Sequence, residues 1–153
     1  MEMKASQLYK KMSIVWSEAG SLPFGVCEKL IIKNDSIKFS RTTSFTTDGY
    51  IDDRDKCNWF IKTDSDGFEE KFSIMCNYFL RHMKPNIKIE GWDMPVFSIE
   101  VIRYDNTREC QRYNGDLLSN GFNKLVEMLK EFIPSVLPKP YFIEGYPEDE
   151  DEF

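Results

Sequence analysis

Two short runs of alternating apolar residues flank the polar triplet Asn34-Asp35-Ser36, and they constrain this chain more than any other feature. Leu30 and Ile32 precede the triplet with lysines on their outer sides and Ile31 between them, and Ile37 and Phe39 follow it, alternating with Lys38 and Ser40. A period of two places the apolar side chains on one face of an extended strand, and a polar triplet between two such runs is a turn. Residues 24–45 therefore read as a β-hairpin with one buried face.

The rest of the chain adds strands and helices to that hairpin. Trp59-Phe60-Ile61-Lys62 reads as a third strand, after an exposed charged loop over 46–56. Phe68, Phe72, Met75, Phe79 and Met83 then fall at helical spacing. Asp66 and Glu69 form a capping box before them, and Pro85 forbids continuation. Val96 to Tyr104 alternates again, turns at Asp105-Asn106 and returns through Thr107 to Tyr113. A second helix puts Leu118, Phe122, Leu125, Leu129 and Phe132 on one face and stops before Pro134. At the other end, Leu8, Met12, Val15, Trp16 and Ala19 make one apolar stripe, which predicts a helix over residues 4–19 stopped by Gly20.

The expected fold is α+β: an antiparallel sheet with helices packed on one face, preceded by the N-terminal helix. Both later helices open alike, at Asp66-Gly67-Phe68 and Asn120-Gly121-Phe122, which suggests a degenerate ββα–ββα duplication. Three strands, a helix and two strands is also the order of an OB-fold, so a five-stranded barrel is the alternative.

Charge divides the chain unevenly. Residues 134–153 hold six acids and one base, and the preceding 133 hold 20 acids and 19 bases, so the end carries −5 of the formal −6. The expected organisation is one globular domain over 1–133 and a proline-containing acidic tail over 134–153. With 41% hydrophobic residues in 153, the body has ample material for one core. No apolar run approaches the roughly 20 residues that span a bilayer. With no leader-like N-terminus, a cytoplasmic protein with no membrane partner is expected.

Catalytic and metal motifs are scarce. Cys27, Cys57, Cys76 and Cys110 are widely spaced with no C-x-x-C pair, and they read as reduced structural thiols. Asp48, Asp52, Asp53 and Asp55 miss the EF-hand positions. His82 is the single imidazole and sits where a cation suits a helix C-terminus. The acid pairs Glu90 and Asp93, and Glu69 and Glu70, carry no mark that separates them from other acids. No metal, cofactor or catalytic set is expected. A small carboxylate enzyme is the third-ranked reading.

Two surfaces remain. Lys38, Phe39 and Arg41 on one hairpin, with Arg103, Tyr104, Arg108, Arg112 and Tyr113 on the other, interleave aromatic rings and bases as a single-strand-binding surface does, although alternation puts Phe39 and Arg41 on one face and Lys38 on the opposite one. The second is the tip Glu148, Asp149, Glu150, Asp151, Glu152 and Phe153, an anionic run ending on an aromatic residue. That tip resembles the acidic, Phe-terminated tails of bacterial and phage single-stranded-DNA-binding proteins, although Glu152 stands where those tails have proline. The resemblance implies a recruitment peptide. The leading expectation is a non-enzymatic protein-binding module, in one version an acidic inhibitor or immunity-type protein, whose tip meets a partner with a basic surface. The alternative is a phage-type single-stranded nucleic-acid-binding protein. Free sheet edges leave a homodimer open.

Overall fold

A computed structural model describes residues 8–18, 26–43, 57–63, 67–82, 96–114 and 121–144. Six strands form one antiparallel sheet: β1 (Tyr9–Glu18), β2 (Val26–Lys33), β3 (Ser36–Thr43), β4 (Cys57–Lys62), β5 (Val96–Arg103) and β6 (Arg108–Asn114), in the order β4-β3-β2-β1-β5-β6. Helix α1 (Phe68–His82) carries the chain from the β4 edge to the far side of β1. Helix α2 (Asn123–Phe132) follows β6, and a single turn, α3 (Tyr141–Glu144), lies in the proline-containing segment expected to be non-helical.

The hairpin is where the alternation puts it. β2 and β3 pair with Leu30 opposite Phe39 and Ile32 opposite Ile37, and all four are buried. Lys33 pairs with Ser36, so the turn itself is the two residues Asn34 and Asp35. The second hairpin turns through Asp105 and Asn106. There the Asp105 carboxylate accepts from the Thr107 N–H at 2.9 Å and from its hydroxyl at 2.6 Å, while Asn106 takes φ 67°. These bonds to Thr107 hold the Asp105 carboxyl below its ordinary range.

The N-terminal helix is a correction. Its described part is β1, the strand that pairs with β2 on one side and β5 on the other. Met12, Ile14 and Trp16 alternate as well as Met12, Val15 and Trp16 fit a helical stripe, and a helix would have left Ile14 off that stripe. In the strand Met12 and Ile14 are fully buried and Val15 lies on the opposite face. Ile14, Val15 and Trp16 also lose side-chain freedom in a helix and gain packing on a pleated surface. Lys10 is an extra residue in the β1–β5 ladder, and this bulge turns Tyr9 onto the buried face with Met12. The Tyr9 hydroxyl then donates to Asn77 Oδ1 and ties β1 to α1.

The barrel alternative is also corrected. The sheet is open, with β4 and β6 at its two edges rather than paired. Nor do the two helices end matching units, since four strands precede α1 and two precede α2. Gly121 takes φ 83° before α2, whereas Gly67 at α1 has no positive φ. A ββα duplication is therefore not shown. The Asp66 cap, Gly20, Met83, Pro85, Leu118 and the loop at 46–56 lie outside the described residues.

One core occupies the side of the sheet where the helices lie. Phe72, Met75, Cys76 and Phe79 of α1 and Leu125 and Leu129 of α2 are fully buried against Ile14, Leu30, Phe39 and Ile99. Each such side chain contributes about 1.5–3 kcal/mol by leaving water. Aromatic rings join the layers: Phe97 stacks on Tyr113 at 5.0 Å, and Tyr113 meets Phe122 edge-on at 5.3 Å. Ile133 ends α2 in an extended conformation before Pro134, and the chain returns to bury Phe142 and Ile143 in the same core.

Candidate functional site

The cross-strand register sorts every strand residue onto one of two faces, and their chemistry differs sharply. Across the helix-covered face runs the row Cys57, Arg41, Glu28, Trp16, Phe97 and Tyr113. Arg41 and Glu28 are direct cross-strand neighbours and form a buried ion pair, with Arg41 Nε donating to Glu28 Oε2 at 2.8 Å. Their remaining atoms hold the segment after α2. Arg41 Nη2 donates to the Lys139 carbonyl at 3.0 Å, and the Phe142 N–H donates to Glu28 Oε1 at 3.0 Å. Trp59 Nε1 adds a bond to the Pro138 carbonyl at 2.9 Å. The charges are thus consumed in fastening residues 138–142 to the inner face.

No described element packs on the other face. One row there reads Phe60, Lys38, Ile31, Ser13, Glu100 and Cys110, and the next Asn58, Ser40, Lys29, Val15, Ser98 and Arg112. Lys62 and Lys33 flank Ser36 at the β4 side, and Lys11 and Arg108 flank Ile102 at the β6 side. Among the described residues this face carries seven bases and one acid, Glu100, whose carboxylate is 3.9 Å from Arg108. Six strands at a spacing of about 4.8 Å make it roughly 24 Å wide. Ser13, Val15, Ile31 and Ser98 lie low between the long cations, of which Lys29 stands beside Val15 on a central strand, and Phe60 is 55% exposed at one edge. Among the described residues this face is therefore positive, although the chain as a whole has a net charge of −6.

The residues singled out as an aromatic and basic surface separate in space. Phe39 and Tyr113 are buried in the core, and Arg41 is the buried partner of Glu28. Arg103 and Tyr104 lie at the β5–β6 turn. Arg103 is 3.6 Å from Glu109, and the Tyr104 hydroxyl accepts from Asn34 Nδ2 at 3.0 Å. Arg108 and Arg112 alone of the set lie on the open face, joined there by Lys38, which alternation already puts opposite Phe39 and Arg41, and by lysines not singled out from the sequence. The available signal was Lys29, Lys33 and Lys38 at positions that alternate with the buried residues of one hairpin. The tip Glu148, Asp149, Glu150, Asp151, Glu152 and Phe153 lies outside the described residues, as do Asp48, Asp52, Asp53, Asp55, Glu90 and Asp93.

Three of the described reactive side chains, Cys76, Cys110 and His82, have defined surroundings. The Cys76 thiol is fully buried between α1 and the sheet, and burial pushes it far above its ordinary range. Cys110 is raised too, by partial burial and then by the Glu100 carboxylate opposite it. Neither is a ready thiolate. His82 stacks on Tyr78 at 4.2 Å, and its Nδ1 is 2.9 Å from the Tyr78 carbonyl. Among the described residues no three His, Cys, Asp or Glu side chains converge to hold a metal ion. No described helix is long and apolar enough to cross a membrane. No protein-family model matches the chain, and neither a curated protein nor a solved structure matches it.

Proposed function

We propose that this protein is a non-enzymatic binding module and that the open face of its sheet receives an acidic partner protein. One observation carries the reading: seven cations against one acid on a sheet face bare of described elements, in a chain whose net charge is −6. Small and β-branched residues between the cations let a partner approach the strands closely, while the ammonium and guanidinium groups, from Lys29 on a central strand to Lys62 and Arg112 at the edges, reach outward. Such an arrangement speeds encounter with an acidic surface and rejects basic ones. The raised thiols and the His82 imidazole engaged with Tyr78 support binding rather than turnover. An inhibitor or immunity-type role is one form of this reading, with the acidic tip as a separate element.

A single-stranded nucleic acid is the second reading, favoured by the exposed Phe60 ring beside Lys38 across the β3–β4 ladder. One experiment separates the two. A photo-crosslinking residue replaces Lys29 on the open face in one variant and Glu127 on α2 in another, and both are irradiated in host lysate. The proposal expects an acidic protein joined only through position 29, which then binds the purified chain with an affinity that falls with salt and with Lys38→Glu. Adducts that nuclease removes would replace the protein partner with nucleic acid. Equal adducts from both positions would sink the open face as the binding site.

A further inference from the structure

A second surface that no described element covers lies on the other side of the molecule, between α1 and α2. Ile74, Tyr78 and Met128 floor a groove of about 530 Å³, and Arg81 and Lys124 stand at its rim. Lys124 Nζ is 5.8 Å from the centre of the Tyr78 ring, so a cation is held over the apolar floor. Beyond Ile74 and Met128 the groove deepens into a recess of about 170 Å³ walled by Phe132, Lys71 and Glu131. Ile74 is 52% exposed although its neighbours Ser73 and Met75 are buried. Ile74, Tyr78, Met128 and Phe132 thus make one continuous apolar strip between the helices, with Lys71, Arg81 and Lys124 beside it and Glu131 the acid in its lining.

We propose that this groove docks the acidic C-terminal run of the same chain, Glu148–Phe153, with the Phe153 ring in the recess and the carboxylates along Lys71, Lys124 and Arg81. Three features of sequence and geometry converge on that occupant. Charge is the first: the rim presents three cations against Glu131, and the run is five consecutive acids. Size is the second, because an apolar cavity of about 150 Å³ accommodates a single benzene ring. Reach is the third. Nine residues follow Glu144, which at roughly 3.3–3.6 Å each extend to about 30 Å. The ten-residue α2, on which α3 packs, is only about 15 Å long. The groove is distinct from the open sheet face, so this inference stands or falls independently of the proposed function.

The test uses a fluorescein-labelled synthetic peptide with the sequence of residues 146–153. Its binding is measured by anisotropy at low salt, to the full chain and to a chain ended after Pro147. A tethered tip acts at an effective concentration near millimolar, so a peptide of about 100 μM affinity should bind the full chain about tenfold more weakly than the shortened one. Binding to the shortened chain should fall about three- to fivefold with Lys124→Glu, which turns an exposed attraction into a repulsion, and at least about tenfold with Ile74→Glu, which removes an apolar anchor. Both positions are exposed, and circular dichroism checks that the fold is kept. A peptide with Phe153→Ala should bind as poorly. Failure to bind the shortened chain overturns the proposal, as does equal affinity for both chain lengths. Loss of binding with Lys29→Glu but not with Lys124→Glu would move the peptide to the sheet. A full-length chain that dimerises with concentration while the shortened one does not would assign the tip to a second copy.

Discussion

Replacing Arg41 by methionine is the most informative single change to this fold. The guanidinium is buried beside a Glu28 carboxylate that is itself fully buried, and it also donates to the Lys139 carbonyl. Removing it leaves a carboxylate in the core with the Phe142 N–H, 3.0 Å away, still donating to it. Loss of one partner from such a pair costs about 3–5 kcal/mol, far more than an exposed ion pair at about 0–1 kcal/mol. In a chain of 153 residues this is a fall in Tm of roughly 6–20 °C, at about 2–4 °C per kcal/mol. Glu28→Leu alone should cost a similar amount. The double variant should cost well under the sum of the two singles, because it leaves no unpaired charge in the core. What it still loses is the acceptor for Phe142 and the donor for Lys139, at about 1–3 kcal/mol each. Urea unfolding followed by tryptophan fluorescence reads all four proteins, and Trp59 reports the fastened segment directly through its bond to Pro138. Single variants that cost under about 1 kcal/mol, or a double variant equal to the sum of the singles, would refute the assignment of Glu28 and Arg41 as the clasp of residues 138–142.

Alkaline pH should destabilise the protein, through Cys76. Its thiol is raised in the folded state, so above about pH 9 the unfolded chain has released a proton that the folded chain retains, and stability falls by up to about 1.4 kcal/mol per pH unit. Below the unfolded value the contribution is fully present. Urea midpoints of Cys76→Ala should decline less steeply between pH 8 and 10 than those of the parent, and parallel declines would show that another group, such as the likewise raised Tyr9, controls the slope. At the β5–β6 turn, Asn106 holds φ 67°, a conformation that glycine adopts freely and β-branched residues resist. Asn106→Gly should leave the thermal midpoint nearly unchanged and Asn106→Val should cost about 1–2 kcal/mol, with equal effects of the two contradicting the left-handed geometry.

What the sequence determined by itself are the elements whose periodicity admits one reading. Leu30, Ile32, Ile37 and Phe39 alternate without a competing helical pattern, and Phe72, Met75 and Phe79 recur at helical spacing without a competing alternation. The hairpin and α1 were therefore legible, as was the α+β class. β1 was not, because Met12 and Trp16 satisfy both periods, and only the availability of β2 and β5 as partners on both sides selects the strand. Local pattern fixes which residues share a face. It does not fix which face the helices cover, nor whether the last strand closes on the first. Those follow from long-range pairing, which left β4 and β6 as open edges and one side of the sheet bare of described elements. The same pairing decided the fate of the charges. Arg41 and Lys38 are both bases in one strand, and alternation puts them on opposite faces, but the sequence does not say which of those faces the helices cover. Register sends Arg41 inward to Glu28, where burial makes it a structural clasp, and Lys38 outward to a cationic surface, because adjacent parity in a strand means opposite sides of a sheet.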